Sequence, residues 1–313
     1  MTVHISAMAL PDATITLTTV LGSVTEADAG GFHRAWLPQL PPVPGLAPWD
    51  ALTALALAGQ HARRIELGTS VNVAYHQHPL TLARQAMTTN TAVDGRLTLG
   101  IGTGHQTMVE ALGQPFTRPA QYMREFLEIL IPAMAGDAVD YHGSQLTAVG
   151  SVELAAPAPR VVIAALGPRM LDLAAELTDG TVTTWTGPRT LEQHVVPRIT
   201  TRAAHLGRPA PEVIAALPVV VTHDVDGVRH SLSEAFSYTA EMPSYRGVLD
   251  REGVDGVGGV AVVGDEEQVA AQLRRFSDIG VTEFVGFLVG DPDTMRRTSA
   301  LLAGLQREPA PLQ

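Results

Sequence analysis

The chain has 313 residues, 45% hydrophobic and 17% charged, with a net charge of -11; its 21 Lys and Arg are scattered, which argues against a nucleic-acid surface. It contains no cysteine, so disulfides, thiolate metal sites and a cysteine nucleophile are excluded. The opening "MTVHISAMALPDATITL" lacks a signal-peptide pattern and the longest apolar stretch, residues 51–59, is too short to cross a bilayer, so a cytoplasmic protein with no membrane partner is expected.

Read in order, short β-branched runs alternate with longer helical segments. Residues 14–22 (TITLTTVLG) predict a first strand and 34–39 (RAWLPQ) a second, followed by a Pro-rich loop at 40–48. A helix over 49–61 starts just after Pro48, where a helix tolerates proline. Strand three is 65–73, then a helix at 80–93, and strand four is 96–102. An amphipathic helix follows Pro119, and 137–159 has the alternation of a hairpin, read as a β insertion. Strands five, six and seven fall at 160–166, 180–187 and 212–224, with helices at 168–177 and 190–206 between them. A helical, Gly-rich insertion spans 225–264, and the chain closes with a helix (266–280), strand eight (281–290) and a helix (293–306).

Strands separated by helices imply parallel pairing through right-handed crossovers. Eight such units suit a closed (β/α)8 TIM barrel better than an open doubly wound sheet. No linker divides the chain, so residues 1–313 are read as one domain with the two insertions.

In such a barrel the site lies at the C-terminal ends of the strands. The residues placed there include Gln39, Ser70 and Val71, then Gly102, Thr103, Gly104 and His105. Leu166, Gly167, Pro168 and Arg169 follow strand five; Trp185, Thr186 and Gly187 follow strand six. This set is rich in backbone and hydroxyl donors and poor in acids and bases. It suits a large planar or phosphorylated cofactor that brings its own reactivity. "AALGPRM" reads as a strand end, a Gly-Pro turn and a helix start, which attracts anions with Arg169 adding charge, or as an ordinary βα turn. "GIGTGH" has its third glycine too early for a dinucleotide fingerprint. His76 and His78 in "YHQHP" lack an evident third ligand, so no metal is assigned. Trp185 could wall a flat ring or pack at the rim.

The stretch "RIELGTSVNVAYHQHPLTLARQAMTTNTAVDGRLTLGIGTGH", with "ALGQPFTRPAQYMREFLEIL" and "VVIAALGPRMLDLAAELTDGTVTTWTGP", resembles the luciferase-like monooxygenase superfamily. The "GTSV" and "GIGTGH" forms resemble its branch using coenzyme F420, a deazaflavin, rather than FMN. The resemblance implies a TIM barrel, commonly a homodimer, that moves a hydride between the deazaflavin C5 and a small organic substrate. It implies a non-proline cis peptide at Ser70-Val71 supporting the central ring, with Gly102, Thr103 and Gly104 facing the ring system. Ala165, Leu166, Gly167 and Pro168 match positions near the ribityl-phosphate, and Thr186 and Gly187 match the loop holding the same tail. Sugar-phosphate dehydrogenases of this branch have a His after strand two and a Glu after the strand-four glycines, where this chain has Gln39 and His105. Neutral Gln39 is neither acid nor base, so His105 becomes the candidate for proton transfer. The Pro-rich loop in place of a charged lid implies a less polar substrate. An FMN-dependent monooxygenase and a catalytically silent flavin-binding paralogue stay open as alternatives.

Overall fold

Eight parallel strands close on themselves in a computed structural model that describes residues 3–10, 15–39 and 49–307. They are β1 (His4–Met8), β2 (Arg34–Leu37), β3 (Glu66–Thr69), β4 (Leu97–Gly102), β5 (Arg160–Ala164), β6 (Gly180–Thr184), β7 (Glu212–Val221) and β8 (Glu283–Leu288). Each pairs with the next in sequence, and β8 returns to β1 through the register His4 to Glu283, which closes the (β/α)8 barrel. The Pro-rich loop at 40–48 lies outside the described residues.

The first strand is not where the β-branched run placed it. Within 14–22, residues 17–22 instead open α1 (Leu17–Gly30). Thr16 caps this helix: its hydroxyl accepts from the Thr19 N–H, and the Thr19 hydroxyl accepts from the Thr16 N–H. That reciprocal box satisfies two otherwise orphaned donors and outweighs the strand preference of the Thr-Ile-Thr run. The true β1 is the short "HISAM", whose inner residues are buried.

Two additions decorate the barrel. Val139–His142 and Thr147–Gly150 pair antiparallel, and their turn is held by buried Glu125 from the helix Pro119–Ala135. Burial alone would raise this carboxyl. Donation from Gln121, Ser144, Gln145 and Leu146 overcomes that and holds it at about 2. The segment 225–264 contains helices at Val225–Ala235 and Pro243–Glu252, and ends in the short strand Val262–Gly264 alongside the C-terminal end of β7.

The two ends of the barrel differ in chemistry. At the N-terminal end Arg34 forms an ion pair with Glu283, whose other oxygen accepts from Trp36 Nε1 at 2.6 Å. Arg160 pairs with Glu212 at 2.5 Å, and His4 stacks on His33 with ring centroids 4.0 Å apart. His4, His33, Arg34, Arg160, Glu212 and Glu283 line a cavity of about 340 Å³, away from the strand ends that carry the glycine loop. The opposite end has an apolar floor instead.

Candidate functional site at the C-terminal mouth

Inside the barrel Trp36, Val162, Val182, Ile214, Ala216 and Val285 form a buried cluster. Met8, Val71 and Ala164 pack on it while staying partly exposed, and so form an apolar floor to the mouth. Gly68 gives Trp36 its place, since a Cβ there would lie 2.6 Å from the indole.

The third strand is interrupted where the resemblance implied: the Ser70-Val71 peptide is cis. Pairing passes from Gly68 opposite Thr98 to Asn72 opposite Ile101, so β3 and its continuation carry one extra residue, as in a bulge. Thr69 bridges the gap, its hydroxyl accepting from the Gly100 N–H and donating to the Gly100 carbonyl, both at 2.9 Å. This explains two of the glycines in "GIGTGH". A Cβ on Gly100 would fall 1.9 Å from the Thr69 carbonyl oxygen, and one on Gly102 2.6 Å from the Val71 side chain. Gly104 adopts φ +71, which favours glycine. Thr103 and Gly104 remain half-exposed on the rim.

His105 follows directly and starts the helix Gln106–Ala111 without capping it through its side chain. It is half-buried, and burial pushes its pKa below the ordinary histidine value, so the neutral imidazole dominates near pH 7. Its ring lies 5.2 Å from that of Tyr245, tilted by 55°. His78 is differently employed: Nδ1 accepts from the Leu80 N–H and Nε2 lies 3.0 Å from the Thr147 carbonyl, tying a helix start to the hairpin. His76 is half-buried, with its pKa lowered by burial.

The turns after β5 and β6 are unlike each other. Gly167, Pro168 and Arg169 are exposed at the start of the helix Pro168–Leu177. The N–H groups of Arg169 and Met170 have no protein acceptor among the described residues, since the first intrahelical bond runs from Leu171 to Gly167. Two free donors, the helix dipole and a guanidinium make this start suited to an anion. Ala165 is buried beneath it, and half-buried Leu166 engages His194 Nε2 through its carbonyl at 2.9 Å. After β6, the corresponding N–H groups of Arg189 and Thr190 are taken by the Glu252 carboxylate, at 3.1 and 2.8 Å.

Several of the other predicted positions are engaged by neighbouring protein groups. Gly187 is buried, and a Cβ there would lie 2.4 Å from the Glu252 carboxyl carbon, so it does not present an open anion site. Thr186 is buried and donates to the Thr184 carbonyl at 3.1 Å. Trp185 is buried with φ 56 and packs on Phe236 with ring centroids 4.8 Å apart. Gln39 spends its side-chain oxygen on the Ala51 N–H at 2.8 Å, at the start of the helix Ala51–Ala58. Sequence reasoning missed Tyr245, Glu252, Met8 and Ala164. Pro243 at a helix start and Gly253 after its end could have delimited the helix carrying the first two, but nothing local reports what it touches.

The fold and this mouth define a (β/α)8 barrel with an apolar floor at the C-terminal ends of its strands. The chain belongs to the luciferase-like monooxygenase family, whose profile matches residues 1–283. It is 30% identical over 302 residues to a 5,10-methylenetetrahydromethanopterin reductase from Archaeoglobus fulgidus, covering 85% of this chain and 88% of that one. In structure it resembles an F420-dependent secondary alcohol dehydrogenase in complex with an F420-acetone adduct (TM-score 0.82, 18% identity, covering 98% of this chain and 100% of the other). It also resembles the oxygenating constituent of 3,6-diketocamphane monooxygenase from Pseudomonas putida in complex with FMN (TM-score 0.75, 17% identity, covering 97% of both chains).

Proposed function

We propose that this protein is an F420-dependent oxidoreductase that transfers a hydride between the deazaflavin and a small, weakly polar organic substrate, acting as a cytoplasmic homodimer. The observation that carries the reading is the pairing of an apolar, glycine-rimmed floor with one open helix start. Val71, Gly102, Thr103, Gly104 and Ala164 would receive the ring system, and the N–H groups of Arg169 and Met170 with the Arg169 side chain would hold the anionic tail. The similarity to a methylenetetrahydromethanopterin reductase and to an F420-dependent alcohol dehydrogenase supports the same choice.

When bound, the deazaflavin supplies a carbon that takes or gives a hydride. The chain's own part is to orient the substrate carbon against the ring, exclude water and move one proton. His105 is the rim group suited to the last task. As a neutral imidazole it accepts the proton of a substrate hydroxyl in the oxidative direction and returns it in the reductive one.

FMN also has a flat ring and a phosphate, and the resemblance to an FMN complex favours a monooxygenase as the second reading. Parallel equilibrium titrations with F420 and FMN separate the two. F420 is expected to bind, and Arg169→Ala to weaken it about three- to tenfold, the scale of one charge-assisted contact at an exposed site. Binding of FMN alone would overturn the deazaflavin reading.

A further inference from the structure

The helix Pro243–Glu252 runs between two rims of the mouth. Tyr245, in its first turn, meets His105 behind β4, and Glu252, its last residue, sits on the helix start behind β6. Ten helical residues extend about 15 Å, so the element is a strut fixed at both ends. Between the anchors Val248 and Leu249 are buried, and the Thr190 hydroxyl donates to the Val248 carbonyl at 3.3 Å. Arg246 is engaged elsewhere, with Asp250 and the carbonyls of Val254 and Asp255. The Tyr245 hydroxyl has no hydrogen-bond partner among the described residues, although its ring is half-buried.

We propose that Tyr245 faces the substrate beside His105 and donates a hydrogen bond to its oxygen or nitrogen, and that Glu252 is the positioning residue that holds Tyr245 there. The assignment rests on the deazaflavin reading of the mouth and names the substrate class: a weakly polar ketone or imine, or the matching alcohol or amine. The floor beneath is apolar, and the two rim groups are a phenol and an imidazole, which recognise one polar atom rather than a phosphate or a carboxylate. Burial pushes the phenol up to about 12, so it stays a donor at working pH. In the reductive direction reduced F420 would give up a hydride with its C–H bonding pair and so be oxidised, the substrate carbon would take that pair as its new C–H bond, and the C=X π pair would move to X. That atom then takes its proton from His105 in the protonated form, while Tyr245 keeps its own proton throughout.

The test uses the full chain and four variants: Tyr245→Phe, Tyr245→Ala, Glu252→Ala and Glu252→Gln. The first readout needs no cofactor. An NMR titration of the His105 imidazole is expected to move toward 6.5 in Tyr245→Ala and Glu252→Ala, because both open it to water and its depression arises from burial alone. Tyr245→Phe should leave it in place, and Glu252→Gln, which keeps an acceptor oxygen, should fall between. The second readout is F420-linked turnover of cyclohexanone, cyclohexanol and a cyclic imine. Tyr245→Phe should raise KM about three- to tenfold, the value of one neutral hydrogen bond. An unchanged His105 titration in Glu252→Ala would overturn the positioning role, and an unchanged KM in Tyr245→Phe the substrate contact. A wild-type protein that binds F420 but turns over none of the probes would overturn the substrate class. Failure to bind F420 at all would strike the deazaflavin reading and leave the His105 titration to judge the strut.

Discussion

Glu283→Ala is expected to destabilise the protein by about 3–5 kcal/mol, the usual result of removing one partner from a buried ion pair. The Arg34 side chain is 2% exposed and its pair with Glu283 lies inside the N-terminal end of the barrel. Cutting away the carboxylate leaves the guanidinium 5.1 Å over the Trp36 ring and 3.8 Å from Glu212, with no replacement for the direct contact. Trp36 Nε1 loses its acceptor as well. Burial raises the Glu283 carboxyl, and Arg34 with hydrogen bonds from Ser6 and Trp36 acts against that. The pair is therefore best viewed as mutually dependent rather than strongly stabilising, and Arg34→Met with Glu283→Met should cost much less than Glu283→Ala. Urea midpoints at constant m-value give the comparison. Equal losses in the single and double variants would show that the ion pair itself supplies the stability.

His105→Ala is expected to lower kcat/KM for F420-linked turnover by about 10²–10⁴-fold, the range for a positioned general acid or base. The pH profile gives a sharper signature. With its pKa below 6.5, His105 is neutral over most of the working range. Oxidation of an alcohol, which needs the neutral imidazole, should hold its rate as pH falls to 6.5 and decline only below the depressed pKa. Reduction of a ketone, which needs the imidazolium, should decline as pH rises through that same value. His105→Ala should abolish both limbs. Profiles that survive the substitution would assign the proton to another group.

Most of the barrel was legible because its strands are runs of β-branched residues bounded by glycine and proline, as in "RVVIAALGP" and "EVIAALPVVV". The first strand was misplaced because Thr16 and Thr19 form a capping box inside a run that locally resembles a strand. The site was legible only in part. The glycine loop and the turn after β5 lie where the pattern put them, and Gly100 and Gly102 also answer to the neighbouring strand, where Thr69 and Val71 leave no room for a Cβ. The surroundings of Gln39 and Gly187 were not legible for a common cause: each meets a partner distant in the chain, Ala51 for one and Glu252 for the other. Tyr245 reaches His105 across 140 positions of sequence, a contact that no local periodicity encodes.

The central claim is that the mouth supports hydride transfer with a deazaflavin and requires no oxygen. Its most direct test is anaerobic: the protein is mixed with oxidised F420 and an alcohol, or with reduced F420 and a ketone, and the deazaflavin absorbance is followed. The expected result is substrate-dependent interconversion of the two forms with oxygen excluded. No change under those conditions, together with turnover that requires reduced FMN and oxygen, would contradict it.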